Sequence, residues 1–121
     1  MKSLLKIFLV AGVMAVSLAF AQGEASAETQ LASWYGPGLE GNLTASGDVF
    51  EPYTEYTAAS MQYPFGTRLL VTYGGYSTVV EVTDRGPYYG GRDLDLSALA
   101  AEDIGLTYAG VDYVDVQVLS Y

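Results

Sequence analysis

Two strand-like runs joined by a pair of glycines limit the fold of this chain more than any other feature. Residues 68–73 and 76–84 are rich in β-branched and apolar side chains, and Gly74-Gly75 separates them. Two glycines supply the positive φ angles that a two-residue hairpin turn requires. The sequence therefore predicts an antiparallel β-hairpin over these residues.

Four further short segments are predicted as strands, and two of them, residues 30–35 and 113–118, alternate between apolar and polar side chains. The four segments are residues 30–35, 56–59, 94–96 and 113–118. Ser97 is placed to cap one short helix over residues 98–104, and Gly105 is placed to end it. Strands this short gain a core and hide their edges only when the sheet closes on itself. We therefore predict an all-β fold, a six-stranded closed or nearly closed barrel with one short helix.

The composition excludes several classes of function. The chain of 121 residues contains no His and no Cys, which rules out His-based triads, cysteine nucleophiles, disulfides and the usual zinc or iron–sulfur sites. Its five Lys and Arg residues face 14 Asp and Glu residues, so the formal net charge is −9. Nucleic acid is a poor partner for such a chain, because that binding depends on basic side chains. Carboxylate chemistry or aromatic binding surfaces remain, and we expect no cofactor and no metal.

The N-terminal stretch has the pattern of a secretory signal peptide. Two lysines precede an apolar run over residues 7–20, and small residues follow at the two candidate cleavage positions, Ala21 and Ala27. The run is shorter than the roughly 20 residues of a membrane-spanning helix. We predict a cleaved leader over residues 1–27 and one domain over residues 28–121, secreted or periplasmic, monomeric and without a stable membrane anchor. The alternative is an anchor that is never cut.

Asp84 and Asp95 are the strongest candidates for acid–base chemistry. Asp95 lies between two leucines, so a strand that buries those leucines turns the Asp95 carboxylate to the opposite face. Partly apolar surroundings raise the pKa of a carboxylic acid and suit it to proton donation. The structural alternative is that the two aspartates accept hydrogen bonds from loop amides or pair with Arg85 and Arg92.

A second pair of carboxylates, Asp48 and Glu51, lies in the segment 36–52. The many Gly, Thr, Ser and acidic residues of this segment predict a long, ordered surface loop. Two carboxylates that flank a glycosidic bond are the usual means of its hydrolysis. The alternative is a Ser-Gly-Asp turn that carries a solvated acid.

Aromatic side chains are candidates for a surface on which sugar rings stack, namely Trp34, Tyr35, Tyr88 and Tyr89. Trp34 is better explained as a core residue, whereas Tyr88 and Tyr89 lie in a segment rich in Gly and Pro and are expected to be exposed. Ser60 has no neighbouring base that would activate it, so we do not expect it to be a nucleophile.

Five motifs together resemble the rare lipoprotein A (RlpA-like) family, and they occur in the family's order over nearly the whole mature chain. They are Ala-Ser-Trp-Tyr-Gly from Ala32, Thr-Ala-Ser-Gly-Asp from Thr44, Pro-Phe-Gly-Thr from Pro64, Asp-Arg-Gly-Pro from Asp84 and Asp-Leu-Ser from Asp95. The resemblance implies the six-stranded double-psi β-barrel of that family, which expansins share.

Characterised members of this family are peptidoglycan lytic transglycosylases that prefer glycan strands without stem peptides. The resemblance therefore implies an exported enzyme that acts on peptidoglycan or a related wall glycan by carboxylate acid–base chemistry. It places Asp48 and Glu51 at two loop acids of the family, and Asp84 and Asp95 at two motif aspartates. The residues implied to contact the glycan are Trp34, Tyr35, Ser46, Ser60, Arg85, Tyr88 and Tyr89.

Departures from the family pattern keep other functions open. Ser60 occupies the position after two alanines at which the family enzymes have a histidine. Asp48 stands for a glutamate and Glu51 for an aspartate, which moves each carboxylate by about one methylene. A second hypothesis is therefore a non-catalytic, expansin-like protein that binds or loosens the wall. A third, from family analogy alone, is a secreted protease inhibitor on the same barrel.

Overall fold

The computed structural model describes residues 27–35 and 38–121 and shows a closed six-stranded barrel. The strands are β1 (Glu28–Tyr35), β2 (Thr57–Ser60), β3 (Arg68–Tyr73), β4 (Tyr76–Asp84), β5 (Leu94–Ser97) and β6 (Val111–Ser120), and the helices are α1 (Ala98–Ile104) and α2 (Leu106–Ala109). The order around the barrel is β1-β5-β2-β4-β3-β6. The predicted all-β barrel is confirmed. Apart from Ala27, the leader predicted for residues 1–27 lies outside the described residues.

The predicted hairpin is formed by β3 and β4, with Tyr73 paired to Tyr76. Gly74 and Gly75 have φ angles of 58° and 90°, which glycine adopts without the steric penalty of a Cβ atom. Two neighbouring pairs, β1 with β5 and β2 with β4, are parallel, and the other neighbours are antiparallel. Parallel neighbours need long crossover connections, so the barrel places side by side residues that are far apart in the sequence.

The core fills the barrel and extends under α1. Its strand residues are Ala32, Ala58, Leu69, Val71, Val80, Val82, Leu94, Leu96, Val114 and Val116, and its helix residues are Ala100, Ala101, Ile104 and Leu106. Successive side chains on a strand alternate between the two faces, so each strand gives one face to this core and one to the outer surface. Closure of the barrel also pairs every strand on both sides, which leaves no open sheet edge in the described barrel.

The helical segment follows β5 as predicted and then continues further. Ser97 caps α1, because its Oγ accepts a hydrogen bond from the backbone N–H of Ala100 at 3.4 Å. Gly105 ends α1 with a φ of 81°. The chain then forms a second single turn, α2, which the sequence did not predict. The fully buried Leu106 side chain holds that turn against the core, and Gly110 ends it.

The loop between β1 and β2 is described from Gly38 onwards and is ordered by its own hydrogen bonds. The backbone N–H of Gly41 donates to the Phe50 carbonyl at 2.9 Å, and the N–H of Phe50 donates to the Asn42 carbonyl at 2.7 Å. The buried Phe50 ring stacks on Tyr35, with ring centroids 4.6 Å apart and planes inclined by 12°. This contact fixes the loop beside the end of β1.

Candidate active site

Four residues form a row across four neighbouring strands of the barrel. Ser33 on β1 is in register with Asp95 on β5, and Asp95 is in register with Ala59 on β2. Ala59 is in turn in register with Asp84 on β4. Neighbouring strands lie about 4.8 Å apart, so the Cα atoms of Asp84 and Asp95 are roughly 10 Å apart. Only the methyl group of Ala59 lies between them, which leaves space between the two carboxylates.

A β-bulge brings Asp84 into this row. Val80 and Val82 of β4 face the core, and uninterrupted alternation would turn Asp84 to the core as well. The register between β2 and β4 shifts, however, so that Ala58 pairs with Val82 and Ala59 pairs with Asp84. The extra residue in β4 reverses the alternation, and bulges commonly re-aim side chains in this way next to active sites. Asp84 therefore shares the outer face with Asp95.

A cavity of about 210 Å³ lies over this row. Its lining residues are Tyr35, Ala59, Asp84, Arg85, Gly86, Pro87, Tyr88, Tyr89, Arg92 and Asp95. The structure thus brings together six of the residues expected from the sequence. Tyr88 and Tyr89 are 67% and 78% exposed, as expected from the sequence, and form the aromatic rim of this cavity.

Asp95 has the surroundings expected of a proton donor. Its two leucine neighbours, Leu94 and Leu96, are fully buried, and its own side chain is half-buried on the opposite face. Burial raises the pKa of the Asp95 carboxyl above its usual range, and the nearby Asp84 charge acts in the same direction. The hydrogen bond from Ser33 and the positive charge of Arg92 oppose this rise without cancelling it.

Ser33 and Arg92 form a short hydrogen-bonded chain that ends at Asp95. The Ser33 Oγ donates to Asp95 Oδ1 at 2.8 Å, and Arg92 Nη1 donates to the same Ser33 Oγ at 3.0 Å. Arg92 Nε also donates to the Tyr89 carbonyl at 3.1 Å. The chain fixes the orientation of the Asp95 carboxyl and links it to the aromatic rim.

Asp84 is held by loop amides, as the structural interpretation of its spacing expected. Its Oδ1 accepts hydrogen bonds from the backbone N–H groups of Ala45 and Arg85, both at 2.9 Å. These bonds join the end of β4 to the loop that contains Ala45. Asp84 nevertheless lines the cavity, so it is a fixed negative charge on one side of the space above Ala59.

Tyr35 of β1 also lines the cavity, and its hydroxyl lies close to both carboxylates. In the part of the chain that the structure describes, the Tyr35 hydroxyl is buried and makes no hydrogen bond of good geometry. Burial raises the pKa of this hydroxyl strongly, and the charges of Asp84 and Asp95 raise it further. Tyr35 is therefore a neutral hydrogen-bond donor beside the Asp84 carboxylate.

Arg85 is engaged mainly with the protein itself. Its Nη1 donates to the carbonyl oxygens of Ser60 and Tyr63, both at 3.0 Å. The guanidinium carbon lies 3.8 Å from the centre of the Phe65 ring, which adds a cation–π contact. Arg85 lines the cavity, but these contacts make it a brace for residues 60–65.

Ser60 and Trp34 do not line this cavity. Ser60 is fully buried and its Oγ accepts a hydrogen bond from the Gln62 N–H at 2.9 Å, so its side chain offers no exposed surface to a glycan. Trp34 is partly buried and packs against the core. It lies on the face of β1 opposite to Ser33 and Tyr35, which supports its interpretation as a core residue.

Asp48 and Glu51 lie apart from the row of Ser33, Asp95, Ala59 and Asp84 and line a second cavity of about 610 Å³. Asp48 belongs to a tight turn, in which the Thr44 N–H donates to its carbonyl at 2.8 Å, and its side chain is exposed. The exposed Ser46 lies within the same turn, and its Oγ donates to Asp48 Oδ2 at 3.1 Å.

Asp48 thus has the turn geometry that its Ser-Gly-Asp sequence predicts. The structure therefore divides the four expected carboxylates into two separate pairs.

Sequence reasoning did not select Ser33 or Arg92 as site residues. The alternation of β1 does place Ser33 on the same face as Tyr35, and Arg92 is one of few cations in the domain. Their partnership with Asp95 depends on the parallel pairing of β1 with β5, which joins residues 62 positions apart. The alternation of side chains within one strand does not predict which strand it pairs with.

Residues 27–35 and 38–121 lack two further features. No group of three or more His, Cys, Asp or Glu side chains in these ranges is placed to hold a metal ion. No helix in the same ranges is long and apolar enough to cross a membrane.

The chain is similar to known proteins along most of its length. The family described as lytic transglycolase matches residues 27–117. The probable endolytic peptidoglycan transglycosylase RlpA of Synechocystis sp. is 48% identical over 91 residues, covering 74% of this chain and 28% of that protein. The endolytic peptidoglycan transglycosylase RlpA of Vibrio cholerae is 42% identical over 95 residues, covering 77% of this chain and 36% of that protein. The chain thus spans about a third of the length of these relatives.

A solved structure has the same architecture. The Streptomyces papain inhibitor matches with a TM-score of 0.64 at 18% sequence identity, over 78% of this chain and 96% of that chain. At this identity the likeness concerns the fold alone, and it agrees with a double-psi β-barrel.

Proposed function

Because the chain belongs to the RlpA-like lytic transglycolase family, we propose that it cleaves the glycan strands of peptidoglycan outside the cytoplasm. The observation that carries the proposal is Asp95, a half-buried carboxylic acid with a raised pKa that faces the cavity over Ala59. An acid with a raised pKa stays protonated at higher pH and can donate its proton to a leaving group.

In the proposed reaction, the protonated Asp95 gives its proton to the glycosidic oxygen as the bond from C1 to that oxygen breaks. The 6-hydroxyl of the same muramic acid attacks C1 and closes a 1,6-anhydro ring. The hydroxyl proton passes to the Asp95 carboxylate, which returns to its starting state, and no water is consumed. A single carboxylate serves as acid and then as base because the nucleophile belongs to the substrate.

Asp84 is proposed to stabilise the positive charge that develops at C1. Its Oδ1 is fixed by two backbone N–H groups, so the charge is already oriented before the substrate arrives. A fixed charge of this kind costs no reorganisation during the reaction. Because Asp84 lies across Ala59 from Asp95, a sugar ring held between them has an acid on one side and an anion on the other.

The aromatic side chains around the cavity are proposed to bind the sugar rings. Tyr88 and Tyr89 are exposed at its rim, and Tyr35 contributes to its wall. The volume of about 210 Å³ lies below the range of roughly 300–1,000 Å³ for pockets that enclose a drug-sized ligand. The proposed preference for strands without stem peptides rests on the resemblance to the family.

Asp48 and Glu51 are proposed to position the strand rather than to take part in the chemistry, since they line the neighbouring cavity. We further propose that the protein is exported by removal of residues 1–27 and acts as a monomer in the periplasm or outside the cell. These proposals rest on the sequence pattern of the leader and on the family.

A second candidate function is expansin-like binding without cleavage. The observation that favours it is Ser60, which replaces the histidine of the family enzymes and is fully buried. If that histidine is indispensable, the groove retains a glycan without cutting it.

The test is a digest of peptidoglycan, both intact and stripped of stem peptides, with mass spectrometry of the products. The wild-type protein is expected to release 1,6-anhydromuramic ends, preferentially from stripped strands, and Asp95→Asn to release none. Asp103→Asn, which changes an exposed aspartate of α1 outside the cavity, is the matched control and should act like the wild type. Binding to the glycan without anhydro ends would replace the proposal with the expansin-like function.

A further inference from the structure

A larger cavity, here called the acidic cavity, adjoins the candidate active site. Its volume is about 610 Å³, and it lies between the loop before β2 and the outer face of β2, β3 and β4. Thr83, which lines it, immediately precedes Asp84 of the active site. Thr57, which also lines it, lies two residues before Ala59, about 7 Å along the same face of β2. A ligand that lies over Ala59 is therefore in reach of both cavities.

The charge of the acidic cavity favours a positively charged ligand. Its lining includes Glu81 of β4 and Arg68 of β3, which are directly opposite each other in the sheet. Their opposite charges therefore cancel. The lining also includes Asp48, Glu51 and Glu55, for which it offers no second cation. A concave surface that carries charges of one sign focuses the electrostatic field and attracts ligands of the opposite sign.

Two buried hydroxyl groups supply an independent reason to expect a ligand. Thr57 and Thr83 are only 8% and 6% exposed, and within the described part of the chain their Oγ1 atoms have no hydrogen-bond partner. Buried side-chain oxygens are normally paired, so an unpaired one calls for an explanation. Both of these threonines line the acidic cavity, where a ligand with N–H donors would satisfy them together with the carboxylates.

The spacing of the hydrogen-bond acceptors in the acidic cavity indicates which kind of cation fits there. In the described residues, no three acidic side chains converge closely enough to hold a metal ion, so the acceptors are spread around a wider space. A primary ammonium has three N–H donors, no acceptor, and a carbon chain that can reach such a space. We propose that the acidic cavity binds a primary ammonium group carried by the cell-wall polymer, and this assignment rests on the proposed function.

Two chemical sources supply that ammonium in a wall polymer. One is an amino sugar that lacks its acetyl group, and the other, on strands that keep their stem peptides, is the side-chain amine of a stem peptide. Calorimetry with the Asp95→Asn protein separates them without cleavage. The probes are a glucosamine tetramer, an N-acetylglucosamine tetramer and a lysine-containing tetrapeptide. At least one amine-bearing probe should bind about tenfold or more tightly than the acetylated tetramer, as expected for charge-assisted hydrogen bonds.

The probe that binds identifies the source of the ammonium. Equal binding of all three probes, or tighter binding of the acetylated tetramer, would overturn the assignment. This result is distinct from a failure of the proposed function, because that function is judged by anhydro ends released by the wild-type protein.

Matched variants show whether the acidic cavity is responsible for the binding. Thr83→Val removes one unpaired hydroxyl at nearly constant shape and should weaken binding of the amine probe about fivefold, and Glu55→Gln should weaken it similarly. Thr67→Val is the control for the first, because Thr67 is also buried with an unpaired Oγ1 but does not line the cavity. Glu102→Gln, an exposed change on α1, is the control for the second.

Circular dichroism would verify that each variant is folded. The two control variants should bind the amine probe as tightly as the Asp95→Asn parent. If Thr83→Val and Glu55→Gln also bind at the parent's affinity, the acidic cavity is not the ammonium site.

Discussion

Asp84 and Asp95 belong to strands that are not neighbours, yet both are in register with the same residue of the strand between them, Ala59. The two carboxylates therefore face each other across a single methyl group. Asp95 is fixed by the hydroxyl of Ser33 and Asp84 by two backbone amides. The proposed chemistry depends on this spacing, since a sugar ring must enter between them.

The small side chain of Ala59 is the first testable element of this arrangement. Ala59→Leu fills the space between the carboxylates and should lower kcat/KM for glycan cleavage by about tenfold or more, since reacting groups tolerate little displacement. The substitution should also cost about 1–3 kcal/mol of folding free energy through overpacking. Steady-state kinetics and thermal unfolding measure the two effects.

Ala109→Leu is the matched control, because Ala109 is exposed at the end of α2. It should leave both kcat/KM and the unfolding temperature unchanged. Unaltered cleavage by Ala59→Leu would show that the substrate does not occupy the space over β2.

The pH dependence of cleavage should shift in opposite directions in two variants. Activity needs protonated Asp95, so it falls as the pH rises through the pKa of that group. Arg92 lowers this pKa and Asp84 raises it. Arg92→Gln should therefore move the falling limb of the profile to higher pH, and Asp84→Asn should move it to lower pH.

The position of the limb, and not the height of the profile, is the quantity to compare, because both substitutions also lower the rate. Exposed Asp103→Asn on α1 should leave the limb in place. Movement of both limbs in the same direction would contradict the assignment of Asp95 as the acid.

Much of the fold could be predicted from the sequence, because strands and turns leave local signals. Period-two alternation located the strands, and Gly74-Gly75 located the hairpin. The orientation of Asp84 could not be predicted in this way. It depends on a bulge at Thr83, which is a property of the pairing between β2 and β4 and not of either strand alone.

Only some residues of the candidate site could be predicted, because the others depend on the pairing between strands. Asp95 stood out because its neighbouring leucines define its face. The link from Arg92 through Ser33 to Asp95 arises only from the parallel pairing of β1 and β5. The resemblance to the family set Asp48 beside the catalytic carboxylates, whereas the turn that contains Asp48 places it in the acidic cavity.

The stacked pair of Tyr35 and Phe50 should stabilise both the loop and the active site. Phe50→Ala removes a buried ring and should lower the free energy of unfolding by about 3 kcal/mol. It should also raise KM for the glycan, because Tyr35 loses the ring that orients it. Chemical denaturation and kinetics measure these changes.

Leu43→Ala is the control in the same loop, since Leu43 is 72% exposed, and it should change the free energy of unfolding by less than about 0.5 kcal/mol. An equal loss in the two variants would mean that the loop contributes to stability without a specific role for the stack.

Arg85 should act as a brace for residues 60–65. Arg85→Lys replaces a planar group that donates to two carbonyls and covers the Phe65 ring. A lysine cannot reproduce that geometry, so the free energy of unfolding should fall by about 1–2 kcal/mol. Arg68→Lys, at an exposed position, should have little effect on it. Unchanged stability of Arg85→Lys together with a raised KM would make Arg85 a substrate-binding residue instead.

Titration of the Asp95 carboxyl tests directly whether its half-buried position makes it a proton donor. NMR spectroscopy of the Asp95 side-chain carboxyl carbon, assigned by comparison with Asp95→Asn, follows the protonation of this one group. The pKa of Asp95 should lie above the ordinary range of aspartate, because the buried position disfavours the charged form. A pKa at or below that range would rule out Asp95 as the proton donor, because Asp95 would then be ionised where the reaction needs an acid.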